Sequence, residues 1–258
     1  MDHYTPQGFW GAFRDYDGSP VNIREHQDAF EFFNRLYDAI DETLKAYHPE
    51  TTLSKIFGGI FAQQVICRGC RHKSEREEPF AAISVDVKNK KNLIESLKSF
   101  VQGDLLEGEN AYYCEKYNKK VDALKRTCIK SLPNTLVIHL KRFDFDYETM
   151  QRLKLKDRFE FPIHLDMKPF TVEGLALQEN ENLEITDSRN SDNGSIEASS
   201  EHTTVSEGNR IVPGVSVPDS FYQYDLVGVV VHRIAYFPGK RLWMIQYSKT
   251  DLKRIRDA

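Results

Sequence analysis

Cys67-Arg68-Gly69-Cys70 begins the stretch that decides the fold, which continues through Tyr112-Tyr113-Cys114-Glu115-Lys116-Tyr117 and ends at Leu136-Val137-Ile138-His139-Leu140-Lys141-Arg142-Phe143. Two cysteines separated by two residues can both reach one tetrahedral metal ion from a tight turn. A second turn of this kind would complete a four-cysteine zinc site, but Tyr117 stands where its last cysteine belongs. The apolar run that ends in Lys141-Arg142 predicts a buried strand.

The cysteines of this stretch form a metal-ligand set that is one donor short. Cys67, Cys70 and Cys114 are the candidate ligands, and His72 is a better candidate for the fourth position than Tyr117. A water molecule could also complete the coordination. The alternative is that these turns form the tip of a hairpin finger that is stable without metal through its own packing. Tyr117 would then cover apolar neighbours. The sequence is therefore consistent with a zinc site and does not require one.

Composition limits the classes of protein to which the chain can belong. It has 258 residues, 40% of them hydrophobic and 12% aromatic, so it can form a substantial core. The net charge of −4 gives no reason to expect nucleic-acid binding. No apolar run approaches the roughly 20 residues that a membrane helix needs. Four cysteines and no signal-peptide pattern at Met1 predict a reducing compartment, the cytoplasm, with the nucleus as an alternative.

The N-terminal fifth of the sequence predicts two helices. Aromatic residues spaced three and four apart between residues 1 and 21 indicate a short amphipathic helix. Asn22 and Glu25 resemble a capping box for a second helix that reaches about Ala46. Its outer face is acidic, which is typical of a solvated surface or of a surface that binds a basic peptide. The acidic residues of this face are Asp28, Glu31, Asp38, Asp41 and Glu42.

Alternating apolar residues predict an antiparallel sheet in the centre of the chain. Strands are expected at residues 58–67 and 83–87, followed by a short helix capped by Asn92. Residues 121–131 and 135–142 are expected to pair with each other around Leu132-Pro133-Asn134. Residues 224–232 have the pattern of a buried strand.

Residues 178–209 differ in composition from the rest of the chain. They contain eight acidic residues and one arginine, a net charge of −7, and few apolar residues. Such a segment cannot bury enough surface to offset the entropy lost on ordering. We therefore predict a disordered acidic insertion here.

Three further segments carry a resemblance to a known family. Gln27-Asp28-Ala29-Phe30-Glu31-Phe32 precedes the cysteines, and Phe159-Glu160-Phe161-Pro162 and Tyr224–His232 follow them. In order and spacing, these segments resemble the ubiquitin-specific proteases, the papain-like deubiquitinating cysteine proteases, and most closely the very large fat-facets-like members. The resemblance covers about residues 4 to 232.

The resemblance implies an α+β fold, the papain-like catalytic core, truncated at both ends. Residues 1–50 would be a helical remnant of the thumb and residues 57–140 would include the fingers and palm strands. Residues 221–248 would add palm strands before a divergent C-terminal tail. The implied partners are ubiquitin and ubiquitinated proteins. Asp28 and Glu31 match residues that face the basic C-terminal tail of ubiquitin.

The resemblance also shows what the pattern lacks. Members of the family have a nucleophile in a Cys-Tyr box before the Gln-Asp-Ala helix, and nothing in residues 1–25 resembles it. Their catalytic histidine lies in a Gly-His-Tyr segment after the strand that ends at His232, where this chain continues differently. We therefore assign no catalytic residue and expect the chain alone to be inactive, as a piece of a thiol-dependent deubiquitinase. The alternative is a catalytically dead protein that binds ubiquitin or another partner.

Overall fold

The structure, a computed structural model, describes residues 6–15, 17–22, 28–48, 52–70, 72–187, 217–232 and 241–250. The α-helices in these ranges are α1 (Gln7–Ala12), α2 (Ala29–Tyr47), α3 (Ser54–Phe57), α4 (Leu93–Gln102) and α5 (Val172–Asp187). Short 3₁₀ helices lie at Gly108–Asn110, Lys168–Phe170 and Asp219–Tyr222. None of the helices in these ranges combines the length and the apolar character needed to cross a bilayer.

The strands are numbered in chain order. They are β1 (Gly59–Cys67), β2 (Lys73–Phe80), β3 (Ile83–Asp86), β4 (Asp104–Leu106), β5 (Tyr112–Cys114), β6 (Lys119–Val121), β7 (Ala123–Ser131), β8 (Thr135–Lys141), β9 (Phe143–Asp146), β10 (Gln151–Lys154), β11 (His164–Asp166), β12 (Gln223–His232) and β13 (Arg241–Lys249).

Two larger sheets organise these strands. The first, which we call the finger sheet, has the order β2-β1-β7-β4 and is antiparallel throughout. The second, the palm sheet, has the order β11-β12-β13-β8-β3, and only its β3–β8 pair is parallel. Two small hairpins, β5–β6 and β9–β10, project separately. This mixture of mainly antiparallel sheets and few helices confirms the predicted α+β class.

The predicted pairing of residues 121–131 with 135–142 is wrong. Both strands form, but β7 pairs with β1 and β4 in the finger sheet, whereas β8 lies between β13 and β3 in the palm sheet. The Leu132–Asn134 connection therefore carries the chain from one sheet to the other. Alternating hydrophobicity identified each strand, but the partners of β8 are distant in sequence and no local pattern indicates them.

Helix α4 joins the two sheets. It packs against β7 on one side and β3 on the other, and its buried face includes Leu93 and Leu97. As predicted, Asn92 is the N-cap and accepts a hydrogen bond of 2.9 Å from the Glu95 N–H. The helix ends at Gly103, whose φ of 74° favours glycine and whose Cβ position would lie 2.5 Å from the Arg126 Cβ. One apolar core consequently extends across both sheets.

Two boundaries differ from those predicted. Helix α2 begins at Ala29 with Asp28 as its N-cap, and not at the expected Asn22 capping box. Helix α5 continues to Asp187, so it overlaps the start of the acidic segment that begins at residue 178. Helix α5 starts next to buried Phe170 and Thr171 at the core, so its first turns are anchored there. Residues 188–209 lie outside the described residues.

Strand β12 is buried over only part of its length. Tyr224 is fully buried, whereas Val227, Val229, Val230 and Val231 are each more than 40% exposed. In the described structure, β11 pairs with β12 only as far as Asp225. The exposed part of β12 and helix α2 line an open apolar groove of 360 Å³. Uniform burial of residues 224–232 was therefore a wrong expectation.

Candidate functional site

The structure brings together the three cysteines predicted as metal ligands. The Sγ atoms of Cys67, Cys70 and Cys114 all lie within 4.8 Å of one another. Cys67 is at the end of β1 and Cys114 at the end of β5, so the two come from separate hairpins. All three cysteines are free thiols. The cluster fits a thiolate-binding metal ion such as zinc, whose preferred ligands are cysteine sulfur and histidine nitrogen.

His72 lies beside two of these sulfurs. Its Nδ1 is 3.4 Å from the Cys114 Sγ and 3.9 Å from the Cys67 Sγ. The Cys67 N–H donates to the His72 carbonyl at 3.0 Å, which closes the turn between β1 and β2. Gly69 adopts a φ of 79° within this turn. The same turn that presents the first two cysteines therefore brings the imidazole beside them.

The turn between β5 and β6 is well formed although Tyr117 stands at the position of its second cysteine. The Tyr117 N–H donates to the Cys114 carbonyl at 3.1 Å, and Asn118 adopts a φ of 51° before β6 begins. The Tyr117 side chain is 49% exposed, whereas Cys114 is fully buried. The exposed phenol agrees poorly with a role in covering buried apolar neighbours.

The two buried thiols have different proton affinities. Burial, reinforced by hydrogen bonding with the neighbouring thiols of Cys70 and Cys114, raises the pKa of Cys67 to about 12. Burial also opposes ionisation of Cys114. Hydrogen bonds from the backbone N–H groups of Tyr117 and Lys116 and from the thiols of Cys67 and Cys70 outweigh that effect, and the pKa of Cys114 lies below its ordinary value. Such N–H groups stabilise the thiolate, the form of cysteine that binds metal.

The acidic N-terminal end of α2 is the second candidate site. Asp28 Oδ1 accepts from the N–H groups of Phe30 at 2.7 Å and Glu31 at 3.1 Å, and Glu31 is exposed one turn into the helix. Asp28 therefore has a structural role as N-cap, which the sequence pattern had not assigned to it. Asp28 and Glu31 lie together in the first turn at the N-terminal end of α2.

A stacked pair of rings fixes this end of α2 to the palm sheet. The Phe30 ring lies parallel to the His139 ring, with centroids 4.3 Å apart. His139 Nδ1 is also 3.1 Å from the Ser84 Oγ on β3. Burial lowers the pKa of His139, an effect that nearby Asp28 opposes. Sequence reasoning missed this contact because the two residues are 109 positions apart and lie in two separate motifs.

Asp41 lies elsewhere than the sequence suggested. Although it was placed on the acidic outer face of α2, it is 4% exposed and accepts from the Leu53 N–H at 2.8 Å. The buried Arg142 guanidinium donates to the Asp157 carbonyl at 3.1 Å, and Lys141 pairs with Asp86 at 3.3 Å. These are tertiary contacts that a local charge pattern does not contain.

Three of the four described cysteines are poorly accessible to a protein substrate. The Cys128 thiol is fully buried and donates to the Ala62 carbonyl at 3.6 Å, and burial raises its pKa. Cys67 and Cys114 contact a histidine, but they are 5% and 0% exposed. Cys70 is partly exposed and belongs to the cluster of three sulfurs that suits metal binding.

Comparisons with known proteins agree on the family. The model of the ubiquitin carboxyl-terminal hydrolase family matches residues 1–235. Human ubiquitin carboxyl-terminal hydrolase 9Y is 47% identical over 232 residues, which is 90% of this chain and 8% of that protein. A Drosophila melanogaster protein described as "Probable ubiquitin carboxyl-terminal hydrolase FAF" is 48% identical over 187 residues, 72% of this chain and 7% of its own length. The chain thus spans less than a tenth of these relatives.

A solved structure supports the fold. The Ubp8/Sgf11/Sus1/Sgf73 deubiquitinating module of SAGA, bound to ubiquitin aldehyde, matches with a TM-score of 0.58 at 22% identity. The match covers 86% of this chain and 49% of the matched chain. The architecture described above is therefore similar to that of this deubiquitinating module. Together with the family model, which covers most of the sequence, these findings show that the chain belongs to the ubiquitin carboxyl-terminal hydrolase family.

Proposed function

We propose that this chain forms a ubiquitin-recognition part of a thiol-dependent deubiquitinase, which hydrolyses the isopeptide bond after the terminal glycine of ubiquitin. The observation that carries the proposal is the family match over residues 1–235. The similar Ubp8 assemblies are described as bound to ubiquitin aldehyde and to monoubiquitin. By analogy, the body of ubiquitin would lie against the finger and palm sheets. We propose the cytoplasm as the location, with the nucleus as an alternative.

The N-terminal end of α2 suits the basic tail of ubiquitin. Both capping bonds of Asp28 use Oδ1, and the described residues provide no hydrogen bond to its Oδ2. Glu31 lies one turn along and is exposed. Two carboxylates at this position can attract arginine side chains and orient an extended peptide. The stacking of Phe30 on His139 keeps both carboxylates in a fixed position relative to the palm sheet.

A titration with ubiquitin tests this role. The variant Asp28→Asn combined with Glu31→Gln removes two charges and keeps the helix cap, because asparagine caps about as well as aspartate. We expect affinity for ubiquitin to fall roughly three- to tenfold, and the difference to shrink at high salt. Chemical shifts of labelled ubiquitin report binding. The matched control is Glu42→Gln, which removes an exposed charge from the opposite end of α2.

Three outcomes of this titration can be distinguished. Binding by the unchanged chain that the double variant weakens, and Glu42→Gln does not, supports the proposal. Equal weakening by both changes would show that only the net charge matters. If folded protein causes no shifts in ubiquitin at millimolar concentration, the chain does not recognise ubiquitin.

We also propose that the chain alone does not hydrolyse ubiquitin conjugates. The four described cysteines are committed to the thiol cluster or, for Cys128, to the core. The test is the release of a fluorescent amine from the C-terminus of ubiquitin. We expect no release above the blank. Turnover that iodoacetamide abolishes would contradict the proposal and would show that one of these four cysteines acts as a nucleophile.

A second proposal concerns the thiol cluster, which we assign to a structural zinc ion. Three cysteine sulfurs within 4.8 Å of one another match the donor set of such sites. The ion would join the β1–β2 turn to the β5–β6 hairpin and would thereby stabilise the tip of the fingers. Elemental analysis of the purified protein is expected to find one zinc per chain. A metal-free protein with unchanged stability would contradict this assignment.

A further inference from the structure

We infer that His72 is the fourth zinc ligand, through Nδ1, and that it replaces the cysteine whose place Tyr117 occupies. The inference rests on the zinc assignment proposed above and makes it specific to this chain. A Cys₃His donor set is among those that structural zinc sites use. The alternatives that the sequence left open were coordination by Tyr117 or by water.

The distances to two of the sulfurs fit a tetrahedral site. With Zn–S of about 2.3 Å and Zn–N of about 2.0 Å, tetrahedral geometry puts a ligating nitrogen about 3.5 Å from each sulfur. The His72 Nδ1 is 3.4 Å from the Cys114 Sγ and 3.9 Å from the Cys67 Sγ. Among the described residues, the ligand atoms that all lie within 4.8 Å of one another are the three sulfurs alone, so the imidazole must move closer to the Cys70 Sγ when the metal binds.

The backbone holds His72 in this position. It directly precedes β2, whose ladder with β1 begins at the Ile66–Lys73 pair. The hydrogen bond from the Cys67 N–H to the His72 carbonyl fixes the turn at its base. The His72 side chain is half-buried. A ligand placed by a regular hairpin loses little freedom when the metal binds.

Tyr117 and water are weaker candidates. Tyr117 is 49% exposed, so about half of its surface faces solvent and not the buried Cys114. A phenol is also not among the usual ligands of structural zinc, which are thiolate, imidazole and carboxylate. Water completes catalytic sites, which keep one position open, whereas structural sites are closed.

Zinc X-ray absorption of the unchanged 258-residue chain tests the inference directly. We expect three sulfurs and one nitrogen, with the multiple scattering that an imidazole ring produces. Long-range ¹H–¹⁵N correlation of the histidines should show one ring with metal-bound Nδ1 and a proton on Nε2. A first shell without an imidazole would overturn the inference and would leave the zinc assignment intact. Absence of zinc would overturn both.

Variants give an independent test. Competition with a chromophoric chelator should show that His72→Ala lowers zinc affinity at least about 100-fold. This loss exceeds the roughly 10- to 100-fold loss expected when a residue that only hydrogen-bonds to a ligand is removed. Tyr117→Phe is the matched control and should leave affinity unchanged. Adding Tyr117→Cys to His72→Ala should restore affinity by supplying a fourth thiolate. Equal affinity of His72→Ala and the unchanged chain, or a loss caused by Tyr117→Phe, would overturn the inference.

Discussion

The palm sheet and the outer half of the finger sheet are stabilised by different interactions. In the palm sheet, Ile138, Leu140 and Tyr247 are fully buried between layers. In the finger sheet, the side chains of β2 are exposed from Lys73 to Pro79, and β2 is tied to the sheet by polar contacts. Lys130, for example, contacts Glu75 at 2.9 Å and Glu77 at 2.7 Å. One region depends on buried apolar surface and the other on paired polar groups.

This difference explains where a metal ion would be most useful. Burial of a large apolar side chain contributes about 1.5–3 kcal/mol, whereas an exposed ion pair contributes about 0–1 kcal/mol. The tip of the fingers is a set of short hairpins, and isolated two-stranded hairpins are marginally stable. A zinc ion held by the thiol cluster would provide at the tip the stability that burial provides in the palm sheet.

The largest expected effect comes from removing buried surface in the palm sheet. Leu140→Ala should lower the free energy of unfolding by about 2–5 kcal/mol, because it removes apolar atoms and leaves a cavity. The matched control is Leu105→Ala on β4 of the finger sheet, where the leucine is 39% exposed. This change should cost less than about 1 kcal/mol. Urea denaturation measures both values, and similar losses would show that the two sheets do not differ in this way.

Removing a buried hydrogen bond between polar side chains of the finger sheet should cost less stability. Arg126 is 7% exposed, and its Nε donates to the Oε1 of fully buried Gln64 at 3.0 Å. Its guanidinium also pairs with Glu179 at the start of the acidic segment on α5. Arg126→Ala should cost about 1–3 kcal/mol, since it leaves the Gln64 amide buried without this donor.

A double-mutant cycle separates the two contacts of Arg126. Coupling between Arg126→Ala and Gln64→Ala should be about 0.5–3 kcal/mol. Glu179→Gln should cost less than about 1 kcal/mol and depend on salt, because that carboxylate is half exposed. If the Glu179 change proves the more costly, the exposed ion pair and not the buried amide anchors the finger sheet.

The local elements were largely predictable from the sequence, but their partners were not. Asn92 and Gly103 marked the ends of α4 because capping and positive φ are local requirements. The pairing of β8 with β13 and β3 depends on contacts between residues up to about a hundred positions apart, and a period-two pattern carries no such information. Burial of β12 was overestimated for the same reason, since a run of valines does not show what covers it.

The candidate sites divide in the same way. The cysteine spacing predicted that Cys67, Cys70 and Cys114 form a cluster. Cys67 and Cys70 lie in one recognisable turn, and Cys114 lies at the start of a second. The N-cap role of Asp28 was hidden, because Asn22 offered an equally good local capping pattern. The contact between Phe30 and His139 joins two motifs, each of which can be recognised without the other. No local signal therefore indicated that they touch.

The smallest expected effect concerns pH and the junction between α2 and the palm sheet. Because burial lowers the pKa of His139, the unfolded chain binds more protons at this residue than the folded chain below about pH 6.5. Stability should therefore fall as the pH decreases from about 6.5 through the lowered pKa, and it should not change through His139 at higher pH. The loss should be smaller than those expected for Leu140→Ala and Arg126→Ala, since the ring is only partly buried.

His139→Gln tests this assignment, because glutamine can still bond with the Ser84 Oγ but does not titrate. The variant should lose stability at neutral pH through the missing stack on Phe30, and its stability should depend less on pH between 5 and 7. His48→Gln, at the exposed end of α2, is the control substitution. If the free energy of unfolding of His139→Gln changes with pH as much as that of the unchanged chain, other groups produce the acid sensitivity. The junction would then stabilise the acidic end of α2 through ring stacking alone. The stability of the palm sheet would in that case depend on apolar and aromatic contacts at this junction as well, and its difference from the polar finger sheet would be larger than described above.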